Sequence, residues 1–564
     1  MALSSRDPSS PSGAQIPSSR SSFQYRPLIS EEDEDIRLIC LYPGSFQDPI
    51  RCDVFHTSFA SNVSYEALSY TWANEDDDSA LSEQIHCAYI GETQHERLAV
   101  TKNCAAALRR LRDTSEEKIL WIDAIAIDQS NHQERNHQVG LMDQVYINAT
   151  QVLVYLGEED LGFTSPGLWL DDRRRRTALE KLFTKRWVTR VWVIQEVALA
   201  QKILLIMGPA TCPFDEGLSS RIRARARLYN LRVPGPLAWN PMVNTGSDLL
   251  SLLDMTRNCH ATDSRDKIYG LLGLTSENFR KLIKVDYSQT IEELLIHTAE
   301  AIISSQRGLD ILVYASSMQK DASSRTTLPT WVPDWSRPSS SRAVRRQLQY
   351  ISLGPWVSDG VISEKREFDL PDASKLSPSI TVRAHWVGKI DGRAYVTGGP
   401  TSGWQTAHAF STQLKKLMNN GVAPSAWPTH LQWLLNPDAR GHRSLSAPQT
   451  LHWAEKSELQ SFCTELDRTE ENEHIFRAGY LPVLSDAAFV QGDTVCAVDG
   501  CRSFLILRGV DLQPDAYSIV GNCVLLGMMH FDCYDKRGSG GEQQWDFNPF
   551  RHLREVDTHI IQLL

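Results

Sequence analysis

Residues 31–210 of this 564-residue chain predict an α/β fold, a mostly parallel sheet sandwiched by helices, with a helical region and a β-rich module after it. Three observations carry that expectation. Between Lys118 and Gly157, two apolar runs (Ile119–Ile122 and Val152–Leu156) flank a segment in which Val139, Met142, Val145, Tyr146 and Ala149 recur at helical spacing. Apolar strands joined by an amphipathic helix should be parallel, with a right-handed crossover. Further apolar runs at 36–41, 67–72 and 202–208 alternate with helical patterns at 101–112 and 187–200. Beyond 380 the apolar runs become short and are broken by Gly and Asp-Gly turns.

Taken in order, residues 1–30 form an N-terminal segment expected to be disordered, since 1–22 are rich in Ser and Pro and poor in large apolar groups. The acidic run Glu31–Asp35 reads as a solvated entry to the strand Ile36–Leu41. Ala67–Trp72 predicts a second strand, ending in the polar Thr71 and the loop Asn74–Ser79. Ala105, Leu108 and Leu111 share one side of the helix at 101–112, which leads to the strand at 119. Asp123 ends that strand, at the carboxyl edge where open α/β sheets bind ligands. Asn131 and Glu134 have capping-box spacing for the next helix. Arg173–Arg176, beside Asp171 and Asp172, read as a solvated loop or helix start. The stretch 179–201 is helical in its second half, and 202–208 forms another strand.

Residues 211–320 read as a helical extension, with periodic Leu249, Leu252, Leu253 and Met255 and a strongly periodic Ile291–Ile303. Asp266 and Lys267 could contact the α/β domain; the plainer reading is a charged helix N-terminus ahead of a packed apolar face. Residues 321–379 form a loose connection in which TWVPDWS at 330–336 is an ordered anchor. Residues 380–564 form a β-rich accessory module, with strands at Ser379–Val387, Asp493–Val498, Ser503–Leu507 and Tyr517–Met528 and helices near 405–420 and 450–470.

The composition narrows the function. A formal net charge of −11 and a pI near 5.8 argue against a general nucleic-acid binder. No apolar run approaches a membrane span, and the N-terminus lacks the apolar core of a secretory signal, so a cytoplasmic protein is expected. The 11 cysteines show no CxxC pairs and read as buried, reduced thiols; a zinc site is not expected. Signatures for nucleotide loops, zinc proteases and serine hydrolases are missing.

What remains is a constellation at the strand ends. Tyr70, Thr71 and Trp72 end one strand, Asp123 ends another, and the apolar helix 191–200 holds one carboxylate, Glu196. A carboxylate there is either ion-paired or raised in pKa by desolvation. Trp192, four residues earlier, shares its helix face. Each has a plainer alternative: an ion pair of Glu196 with Arg186, Arg190 or a distant Arg, a helix or loop cap for Asp123, core packing for Trp72, Trp187 and Trp192. His132 and His137 lie five apart, the wrong spacing for a shared metal, and both read as solvated.

Four segments in order, YEALSYTW (65–72), LWIDAIAIDQSNHQERNHQV (120–139), RVWVIQEVALA (190–200) and DSRDKIYGLLGL (263–274), resemble the fungal heterokaryon incompatibility (HET) domain family. Two positions depart from it: Ala73 where the family usually has Gly, and Ala126 where it usually has Cys, which argues against a cysteine nucleophile there. The order is also similar to Toll/interleukin-1-receptor (TIR) domains, whose fold is flavodoxin-like. The resemblance implies a fungal non-self recognition protein that triggers cell death, acting by self-association or with an incompatibility partner. Enzymatic TIR domains cleave NAD with a helix Glu, so it implies Glu196 as catalytic carboxylate. Tyr70, Thr71, Trp72, Asp123 and Trp192 would then surround NAD as substrate, with no bound cofactor. A non-catalytic signalling module, with Glu196 structural, is the alternative.

Overall fold

The first strand, β1 (Asp35–Leu41), buries every residue because it runs between two cores, Ile36 and Leu38 facing one and Ile39 and Leu41 the other. The computed structural model describes residues 22–28, 35–163, 171–231, 233–238, 247–304, 308–315 and 328–337, and between 379 and 564 the β-strands with their adjoining turns. After β1 come β2 (Arg51–Ser58), β3 (Glu66–Ser69), β4 (Glu83–Tyr89), β5 (Glu96–Val100), α1 (Lys102–Leu111) and β6 (Lys118–Trp121). Then follow α2 (Asp123–Ala126), α3 (His132–Gly140), α4 (Met142–Asn148), β7 (Val152–Tyr155), α5 (Asp172–Thr184), α6 (Trp192–Ala198), β8 (Ile203–Met207) and β9 (Ala210–Pro213).

These nine strands form one sheet in the order β5-β4-β2-β1-β6-β3-β7-β8-β9. The strands at 119 and 152 do not touch: β3 lies between β6 and β7 and pairs parallel with both. They are therefore parallel to each other, as the intervening helices require. β7 also pairs parallel with β8. The sheet as a whole is mixed: β2–β4 is a further parallel pair, while β1–β2, β1–β6, β4–β5 and β8–β9 are antiparallel. The longest parallel run is the centre, β6-β3-β7-β8, where apolar strands are buried on both faces. α1 packs on one face with Leu68, Leu120 and Leu153, while α4 and α6 pack on the other with Ala67, Trp121 and Val152.

The helix expected between β6 and β7 is two helices that meet at Leu141. Only half of the capping box forms: Asn131 accepts from the backbone N–H groups of Gln133 and Glu134. The Glu134 carboxylate turns inward to a buried ion pair with Arg37 and accepts from the Asp128 backbone N–H. Asp171 caps α5, so the basic run is a helix start, with Arg175 buried.

A helical layer continues with α7 (Glu216–Leu228), α8 (Gly235–Ala238), α9 (Leu249–Met255), α10 (Asp266–Leu272), α11 (Glu277–Arg280), α12 (Ile291–Ser304) and α13 (Leu312–Ala315). Trp331 and Trp335 of the TWVPDWS segment are buried, and Thr330 bonds the carbonyl of Leu564, so this segment anchors the chain's last strand. Beyond it lie β10 (Ile380–Lys389), β11 (Tyr395–Thr397), β12 (Glu473–Ala478), β13 (Leu481–Ser485), β14 (Thr494–Val498), β15 (Phe504–Gly509), β16 (Ala516–Leu525), β17 (Tyr534–Arg537), β18 (Gln544–Phe547) and β19 (Thr558–Leu563). β16, β15, β14, β10 and β19 are joined in sequence, and β16 also pairs with β19, which closes a barrel-like ring. The helices expected near 405–420 and 450–470, and the acidic run up to Glu34, lie outside the described residues.

Candidate functional site

Strand alternation in β3 places the site. Ala67 faces the core that holds α6 and Leu68 the core that holds α1; Ser69 returns to the α6 side and Tyr70, just past the strand, to the α1 side. Ser69 is fully buried. Its hydroxyl donates to Oε2 of Glu196 and accepts from the Trp187 indole N–H at 2.7 Å. One donor and two lone pairs allow a hydroxyl to do both.

Glu196 is only 4% exposed, yet among the described residues it has no ion pair. Arg186 instead pairs with Asp77 at 2.8 Å, and Arg190 donates to the carbonyl of Tyr70. Burial pushes the Glu196 carboxyl up to about 7; the Asp123 charge adds to the rise, while Arg190 and the Ser69 hydrogen bond oppose it.

Asp123 stands beyond the carboxyl end of β6, as the first residue of α2. The Trp72 indole donates to its Oδ2 at 2.7 Å and the Ala124 N–H to its Oδ1 at 2.7 Å. Asp123 is half-buried as a residue, but its carboxyl is crowded; burial raises it, and Arg190, Trp72, Ala124 and Tyr70 oppose the rise. The buried Tyr70 hydroxyl faces Asp123 and the Cys104 thiol without a well-formed hydrogen bond, and burial holds it well above the ordinary phenol range. Thr71 turns away from the carboxyls: its carbonyl and hydroxyl accept from Asn103 of α1 at 2.6 and 3.2 Å.

Trp192 lies between α6 and the helical layer. A Cβ on Gly270 of α10 would meet its indole at 3.3 Å, so the glycine lets the two helices approach. Asp266, first in α10, sits beside that indole and accepts from the Tyr287 hydroxyl at 2.6 Å. Burial raises its carboxyl; Tyr287, Trp192 and Arg190 oppose the rise. Lys267 is buried with its ammonium on the carbonyls of Arg257 and Cys259, and His260 pairs its backbone with Thr189 and Val191. The DSRDKIYG segment is thus fastened to the α/β layer, and Asp266 opens a helix whose apolar face is packed.

The structure therefore joins Trp72 to Asp123, sets Tyr70 between Asp123 and Arg190, and holds Glu196 through Ser69. Sequence reasoning passed over Ser69 and took Trp187 as core, although the alternation of β3 already put residue 69 on the side opposite Tyr70. His132 is exposed as expected, but His137 is half-buried, its Nε2 enclosed without a partner. Ala126 is buried, and its carbonyl accepts from Arg37 at 3.0 Å.

Among the described residues no group of His, Cys, Asp or Glu is placed to hold a metal ion, and no helix is long and apolar enough to cross a membrane. Residues 65–166 match the family described as heterokaryon incompatibility protein (HET). Over 461 residues the chain is 28% identical to heterokaryon incompatibility protein 6, OR allele, of Neurospora crassa; the match covers 64% of this chain and 65% of that protein. This chain thus spans just under two thirds of the length of that relative. No solved structure matches.

Proposed function

From the premise that this chain carries a HET domain at 65–166, we propose that it is a fungal non-self recognition protein whose clustered form cleaves NAD and so kills the cell. The observation that carries the reading is Glu196, a buried carboxylate with no counter-ion among the described residues, raised to near neutrality at the edge of the parallel strands. Glu134, also buried, is paired with Arg37, as a structural carboxylate should be. A buried, unpaired carboxyl with a shifted pKa is a mark of functional sites.

The chemistry follows from charge. Breaking the bond between ribose and the nicotinamide nitrogen sends the bonding pair to the ring, which leaves neutral, and puts positive charge on the ribose. The ionised Glu196 stabilises that oxocarbenium-like state, and water then adds to the ribose carbon with loss of a proton. Ser69, itself fixed by Trp187, aims the carboxylate. Trp72 and Trp192 supply aromatic walls that exclude water. The similarity of motif order to TIR domains supports the same assignment.

The 4% exposure of Glu196 favours a second reading: a non-catalytic module that acts by self-association or partner binding, with Glu196 structural. In the catalytic reading, clustering opens the site. The β-rich module at 380–564 restrains or senses and holds no catalytic group. Expression in a fungal host separates the two. Wild type should arrest growth, and Glu196→Gln at equal abundance should not. A Gln variant that still kills leaves the second reading standing.

A further inference from the structure

The carboxyls of Asp123, Glu196 and Asp266 all lie within electrostatic reach of one guanidinium, Arg190. Among the described residues none of the three ion-pairs with it, and Arg190 spends a donor on the Tyr70 carbonyl. Three buried carboxylates elsewhere each meet a cation: Glu134 with Arg37, Asp143 with Arg280, Asp493 with Arg508. The site, by contrast, is short of positive charge.

We propose that Asp266, carried by α10 outside the sheet, is a specificity-determining residue that makes the Glu196 site select a cationic aromatic ring. This rests on the reading of Glu196 as the site's working carboxylate. Asp123, Asp266, Arg190 and Trp72 are half-buried as residues, whereas Glu196 is buried. Trp72, half-buried and bonded to Asp123, presents a fixed indole, while Trp192 is buried against Gly270 in the α6–α10 contact, beside Asp266. A flat ring with delocalised positive charge gains stacking on the Trp72 indole and attraction from the carboxylates; a neutral ring gains only the stacking. The Tyr287 hydroxyl holds one oxygen of Asp266, which fixes where the charge points. Asp266 is carried by α10, whose Gly270 packs on Trp192 of α6, so the helical layer completes the site.

The test uses the full chain clustered through a fused dimeriser, the state in which the site opens, and two probes, the N-methylnicotinamide cation and neutral nicotinamide, with affinities from titration calorimetry. Wild type should prefer the cation by about tenfold, the effect of one well-placed charge in a partly desolvated site. Asp266→Asn keeps the acceptor for Tyr287 and should remove that preference without altering nicotinamide binding. Should the Asn variant not fold, Tyr287→Phe provides the readout, since losing the phenol that aims Asp266 should weaken the cation alone. Wild type that binds both rings equally, or neither, overturns the proposal, as does an unchanged preference in a folded variant. NAD cleavage is read separately. Cation preference without cleavage overturns the catalytic reading and keeps Asp266; cleavage with unchanged KM in Asp266→Asn overturns Asp266 alone.

Discussion

Glu196→Gln should stabilise this protein above neutral pH, and the size of the gain follows from the site. The carboxyl is raised from the ordinary 4.5 to about 7, chiefly by burial. A carboxyl raised on folding supports the folded state fully below 4.5 and loses that support as pH climbs through 7. At about 1.4 kcal/mol for each pH unit between those two values, the ionised wild type forfeits about 3 kcal/mol relative to a neutral side chain. Gln has the same length, and its Oε1 can still accept from Ser69. Urea unfolding of wild type and variant at a series of pH values reads this directly. The two should unfold alike at pH 4, diverge between 4.5 and 7, and above about pH 8 differ by a constant amount in favour of Gln. A Gln variant that is less stable at pH 8, or a difference flat in pH, would refute the reasoning and indicate a charge the fold depends on. Loss of one member of a buried ion pair typically costs about 3–5 kcal/mol.

Ser69→Ala should leave the Trp187 indole N–H unsatisfied and cost about 1–3 kcal/mol, and it should move the titration of Glu196 above 7, both visible in the same urea series. Glu134→Ala strands the fully buried Arg37 and should cost about 3–5 kcal/mol, much of it recovered by Arg37→Met on the same background. Gly273→Ala puts a Cβ 2.5 Å from that of Asp143 and 2.8 Å from Oε1 of Gln195; about 1–3 kcal/mol of overpacking should loosen α10 from α6, seen as faster proteolysis after residue 255.

The centre of the fold was legible because its strands are buried on both faces and so read as apolar runs. β2 and β5 were not, since RCDVFHTS and ERLAV hold neither a continuous apolar run nor a sustained alternation and pair near the sheet's edge. The two-helix form of 132–148 was hidden for another reason: Leu141 lets the apolar face continue while the backbone breaks. At the site, Glu196 and Asp123 stood out as lone carboxylates in apolar surroundings, and the Trp72 bond to Asp123 joins two segments that strand-end placement had brought together. Asp266 opens α10 ahead of a packed apolar face, as its plainer reading has it; its partners Tyr287 and Trp192 were not legible because they are distant in sequence and only tertiary packing brings them near.

The central claim is that Glu196 performs chemistry on NAD, and nicotinamide release by the purified full chain tests it most directly. The assay compares free protein with protein clustered through a fused dimeriser, for wild type and Glu196→Gln. The account predicts release by clustered wild type, rising with pH through about 7 as the carboxyl ionises, and a rate lower by about 10²–10³-fold in the Gln variant. No release by clustered wild type at any pH, or equal release by a folded Gln variant, would contradict it.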